Sequence, residues 1–125
     1  STLFEAMKVM RNKQELFEQT AATHAVSLLD LETSTTIDIA EDVGRHNAAD
    51  KVIGKQLLND NYPFERATAM LVSGRVSFDL VQKAVRANIS VVCAVGMPTS
   101  LAIESAQAVG IKLFAWARED RVSLY

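Results

Sequence analysis

From Asn47 to the end, short apolar runs alternate with helical patterns, and this alternation restricts the fold more than any single residue does. The order is helix near 47–58, strand 67–72, helix 77–87, strand 90–95, helix 99–108 and strand 111–117. Short apolar strands separated by helices of about a dozen residues imply parallel strands, right-handed crossovers and helices over both faces. Upstream, residues 24–29, a polar break at 30–34 and a β-branched run at 35–40 read as a hairpin that adds an antiparallel edge. Leu3, Met7, Met10, Leu16 and Phe17 recur at helical spacing, so residues 1–18 read as an amphipathic helix. A turn at 118–120 leads into a short strand at 122–125. The expected fold is α/β, a three-layer α/β/α sandwich around a mixed, mainly parallel sheet, in one domain spanning 1–125.

One domain suffices for 125 residues of which 49% are apolar. A net charge of −2 gives no electrostatic case for wrapping a nucleic-acid backbone or docking on an acidic membrane. The apolar stretches 67–72 and 90–95 are far shorter than the ~20 residues a membrane helix needs. A single cysteine excludes an intramolecular disulfide or a Cys-x-x-Cys pair within these residues, and suggests a reducing compartment; the expected location is cytoplasmic. The chain begins at Ser1 without a signal-peptide pattern, which reads as a processed or truncated piece.

In open parallel sheets, ligands bind beyond the carboxyl ends of the strands. Three loops there are unusual: Asp42-Val43-Gly44-Arg45-His46-Asn47, Ser73-Gly74-Arg75-Val76-Ser77, and Gly96-Met97-Pro98-Thr99-Ser100. A helix N-terminus offers unpaired N–H groups, glycine lets an anion approach the backbone, and arginine supplies a fork for phosphate. None of the three is a Walker or dinucleotide motif, so the pattern specifies an anion without specifying which. The competing reading makes Asn47, Ser77, Thr99 and Ser100 ordinary N-caps and the arginines solvated surface charges. His46 with Asp50, and Asn47 with Lys51, stand four apart, a spacing that suits either acid–base work or a cap with a salt bridge. Cys93, inside Val91-Val92-Cys93-Ala94-Val95, reads as inert core, and two histidines with one buried cysteine make a poor metal set. Phe114 and Trp116 read as core or subunit-contact residues.

The same segments carry a resemblance. Glu41 to Gly54 (E-D-V-G-R-H-N-A-A-D-K-V-I-G), Leu71 to Ala84 (L-V-S-G-R-V-S-F-D-L-V-Q-K-A), Pro98 to Ala106 (P-T-S-L-A-I-E-S-A) and the final Gly110 to Tyr125 resemble successive motifs of the FdhD family, accessory sulfurtransferases of formate dehydrogenase. The resemblance implies a cytidine-deaminase-like fold without the deaminase zinc ligands, in a homodimer. It also implies that sulfur from a cysteine desulfurase passes to the bis-molybdopterin guanine dinucleotide form of the molybdenum cofactor before that cofactor enters formate dehydrogenase. GDP is then a partial mimic of the cofactor. Asp42, Gly44, Arg45, His46, Asn47, Asp50 and Lys51 fall in the first motif. Ser73, Gly74, Arg75, Ser77, Gln82 and Lys83 fall in the second, and Pro98, Thr99 and Ser100 in the third. Arg45, Arg75, Thr99 and Ser100 are expected nearest the nucleotide.

Two departures qualify what is carried over. The family's sulfur-carrying Cys-x-x-Cys lies upstream of the first helix and has no counterpart here, so the chain is expected to be the C-terminal, cofactor-binding domain with no catalytic residue of its own. Thr20-Ala21-Ala22-Thr23-His24 stands where the family has T-G-G-x-H, which leaves a ligand contact from His24 open. Two other readings remain at this stage. One is a stand-alone nucleotide- or phosphoryl-converting enzyme using His46 and Asp50; the other is a non-catalytic dimerisation and docking module.

Overall fold

The computed structural model describes residues 5–6, 8–10, 24–42, 44–58, 64, 67–95, 98–118 and 121–125; of residues 45, 46, 116–118 and 121 it describes the backbone alone. Strands β1 (His24–Asp30) and β2 (Thr35–Asp42) form the expected hairpin. Helix α1 (Arg45–Leu58), strand β3 (Thr68–Val72), helix α2 (Phe78–Arg86), strand β4 (Val91–Ala94), helix α3 (Ser100–Val109) and strands β5 (Lys112–Arg118) and β6 (Arg121–Leu124) follow. Of the expected first helix, residues 5, 6 and 8–10 are helical, and the remainder lies outside the described residues.

Local chemistry sets the boundaries. The Ser77 side chain accepts from Leu80 N–H at the start of α2, and the Thr99 side chain accepts from Ala102 N–H at the start of α3. Ser100 is therefore the first helical residue rather than a cap. Helix α3 stops at Gly110, whose φ of 78° is a left-handed conformation that costs glycine little.

All six strands join one sheet in the order β2-β1-β3-β4-β5-β6. It is mixed, as expected, with its parallel pairs (β3 with β4, β4 with β5) at the centre. β1 is antiparallel to both β2 and β3, and β6 is antiparallel to β5.

Strand alternation sends Val26, Leu28, Met70, Val72, Val92 and Leu113 into one core, where they meet Ala48 and Val52 of α1, Leu80, Val81 and Ala84 of α2, and Ala102 and Ala106 of α3. The opposite face carries Ala25, Leu29, Ala69, Leu71 and Cys93, against Ala6 and Met10. Three layers are present, but unequally. The expected spread of helices over both faces gives way to three helices on one face, because the three crossovers advance across the sheet in the same direction and share one hand. Phe114 is half-buried and packs on the second face, whereas the Trp116 side chain lies outside the described residues.

Leu28, Met70, Val92 and Leu113 are neighbours in register across four strands, all fully buried. Leu113→Ala leaves a cavity beneath α3 and is expected to cost about 2–5 kcal/mol, read as a lowered urea midpoint with unchanged slope.

Candidate functional site

Because β1 runs against both of its neighbours, β2 and β3 point the same way, and β4 and β5 run with them. The strand ends at Asp42, Val72 and Ala94 therefore reach one edge of the sheet, where the three loops emerge. The start of β1 is there too, with half-buried His24 opposite Asp42 in register. This edge is where ligands gather in open α/β sheets.

The first loop is organised by Asp42. Its Oδ2 pairs with Lys51 Nζ at 2.7 Å, and its Oδ1 accepts from Gly44 N–H at 3.2 Å and from Asn47 Nδ2 at 3.5 Å. Lys51 also donates to the Glu41 carbonyl at 3.1 Å. The ammonium of Lys51, then the Gly44 amide, hold the Asp42 carboxyl down at about 2, against an ordinary 3.8. The first intrahelical bond runs from Ala48 N–H to Gly44 O at 3.0 Å, so α1 opens at Arg45 and Asn47 is not its N-cap. The Asn47 amide instead reaches back to Asp42. A Cβ placed on Gly44 meets only Asn47 Nδ2, at 3.7 Å, so described packing does not demand glycine. Arg45 and His46 form the first turn of α1, and their side chains lie outside the described residues.

Ser73 anchors the second loop. Its N–H donates to Ala25 O at 3.0 Å and its hydroxyl accepts from Ala25 N–H at 2.8 Å, which fastens the bend containing half-buried Gly74 to the start of β1. Arg75 follows, exposed and without an ion-pair partner among the described residues. The third loop is sewn to the second: Val95 N–H donates to Val72 O at 3.0 Å, and Thr99 N–H to Val76 O at 3.1 Å. The capped starts of α2 and α3, with Ser77, Thr99 and Ser100, thus share one patch with Arg75. Gly96 and Met97 lie outside the described residues.

These starts differ in charge. At α1 the Asp42 carboxylate already occupies the positive end of the dipole, and a second anion there meets repulsion. At α2 and α3 the caps are neutral hydroxyls, with exposed Arg75 before α2 and exposed Asp79 in its first turn. The second and third loops add an exposed guanidinium to their hydroxyl caps, a group whose chemistry suits a phosphate.

Asp50 does not present a free carboxylate; it pairs with Lys83 of α2 at 2.5 Å. No local pattern announces a partner 33 residues away, although both residues fall in the segments singled out above. By contrast, a hollow of about 200 Å³ among Val85, Asn88, Ile89, Ser90, Val109, Gly110 and Ile111 lies at the opposite edge and gathers no charged side chain.

The model of the FdhD/NarQ family matches residues 1–125. This chain belongs to the FdhD/NarQ family. It is 47% identical over 116 residues to the sulfur carrier protein FdhD of Mycolicibacterium paratuberculosis, covering 93% of this chain and 42% of that protein. With the sulfur carrier protein FdhD of Streptomyces coelicolor it shares 43% over 116 residues, covering 93% and 40%. The chain thus spans about two fifths of the length of these curated relatives. A solved structure from Desulfotalea psychrophila, described as a formate dehydrogenase accessory protein, superposes with a TM-score of 0.85 at 29% identity, covering 99% of this chain and 54% of that one. The architecture of this FdhD/NarQ chain is therefore shared with a solved relative.

Asp42 makes the first loop acid-sensitive. Its folded pKa, about 2, lies below the ordinary 3.8, so the stability it contributes is complete above about pH 4 and is lost as pH falls towards 2. Asp42→Asn is expected to be less stable than wild type at pH 7. In urea melts across pH the two curves should converge in acid; a gap that persists at pH 2 assigns the loss to something other than this carboxylate.

Proposed function

We propose that this chain is the cofactor-binding part of a sulfur-carrying accessory protein for formate dehydrogenase. In this reading a cysteine desulfurase supplies the sulfur, the bis-molybdopterin guanine dinucleotide molybdenum cofactor is the cargo that receives it, and a cytoplasmic homodimer presents that cargo to the dehydrogenase. The relatives named sulfur carrier protein FdhD and the formate dehydrogenase accessory protein of similar architecture support the general role.

The observation that carries the reading is the patch at which Arg75 stands beside the Ser77-capped start of α2 and the Thr99-capped start of α3. Two hydroxyl-capped helix N-termini flanked by a guanidinium suit the diphosphate of a guanine nucleotide tail, with Asp79 the one acid in the first turn of α2. The guanine would then extend along the sheet edge towards Asp42, Asn47 and His24. Cys93 is not the sulfur carrier in this scheme: it is buried, and burial pushes its thiol up to about 12, so it stays protonated at neutral pH. A stand-alone phosphoryl-converting enzyme using His46 and Asp50 is disfavoured, because Lys83 already holds the Asp50 carboxylate.

GDP, as the nucleotide end of the cargo, is expected to bind in calorimetric titration. Arg75→Ala should weaken it by about tenfold or more, the loss of a charge-assisted contact. A folded wild-type chain that gives no heat with GDP, or an Arg75→Ala variant that binds unchanged, removes this reading.

A further inference from the structure

We propose that the Asp50–Lys83 ion pair is a spacing clamp, which fixes how far the first loop stands from the second and so sets the width of the nucleotide site. The part of this inference that concerns affinity rests on the nucleotide-binding reading above. The second and third loops are tied by backbone hydrogen bonds, Val95 N–H to Val72 O and Thr99 N–H to Val76 O, so they move together. The second is also tied to β1 through Ser73 and Ala25.

The first loop is rooted beside them through the sheet, where Asp42 pairs with His24 of β1, but the helix that follows it is held differently. Asp42 and Lys51 fasten the loop to α1, and Lys55 with Gln56 fastens α1 to Asp38 of β2. These contacts lock α1 to β2, yet none reaches α2. Ala48 and Val52 of α1 share a core with Leu80, Val81 and Ala84 of α2, but apolar contact is non-directional. Asp50 to Lys83 is a directional side-chain link between these helices. Asp50 lies five residues after Arg45 and Lys83 lies six after Ser77, so the pair joins the second turns of the two helices, one turn beyond the loops. The Lys83 side chain is only 25% exposed, so its stem lies against protein and its ammonium has little freedom to wander. Asp50 is 59% exposed, so the pair adds little to stability, and its effect is on position.

Asp50→Asn, Lys83→Met and the charge-exchanged Asp50→Lys/Lys83→Asp variant test this in the 125-residue chain. Spin labels at Leu57→Cys on α1 and Val85→Cys on α2, both exposed sites, report the helix separation while Cys93 stays buried. Each single variant is expected to broaden the label distance distribution and to weaken GDP roughly two- to fivefold with little change in thermal midpoint. The charge exchange should restore both. Unchanged distributions in the single variants, or a charge exchange no better than either, overturn the clamp. If wild type fails to bind GDP, the nucleotide reading falls, and the label distances alone decide whether the clamp exists.

Discussion

The antiparallel insertion of β1 between β2 and β3 is the constraint on which the site depends. Two sets of ladder hydrogen bonds, one on each side of β1, oblige β2 and β3 to run in the same direction. Had β2 paired directly with β3 as the next step of a hairpin meander, its carboxyl end would face the opposite edge, and Asp42 would be a strand length away from Arg75. The inserted strand thus brings the outermost loop to the same edge as the central two. It also places its own first residue, His24, beside that loop.

Electrostatics then divides the edge into two halves. One half is anchored by a carboxylate that already has a cation, an amide and a side-chain amide as donors. The other has hydroxyl caps, an exposed arginine and a single exposed acid, Asp79, in the first turn of α2. A ligand with a charged end and a hydrogen-bonding end has one favourable orientation on such a surface. A uniformly basic pocket would hold more charge but would not distinguish the two ends.

Much of the sheet is legible in the sequence because Thr68–Val72 and Val91–Ala94 are short, apolar and flanked by helical patterns. The caps at Ser77 and Thr99 are legible for the same local reason, since a hydroxyl three residues before a helical N–H satisfies it without help from elsewhere. Asn47 misleads by the same rule: it is a good capping type, but Gly44 and Asp42 supply the entry to α1 and Asn47 turns back to serve Asp42. The placement of three helices on one face depends on strand order, which no local window contains. The spacing of His46 and Asp50 suggested a pair within one helix. The actual partner of Asp50 comes from the next helix, a contact that exists only once the sheet has set α1 beside α2.

The two hydrogen bonds between Ser73 and Ala25 bear on the thermodynamics of recognition. They close a bend whose backbone would otherwise have to be ordered by the ligand, so its conformational entropy is lost during folding rather than at the moment of binding. A loop prepared in this way favours fast, rigid-body capture over closure around the guest. It also permits release without a structural rearrangement.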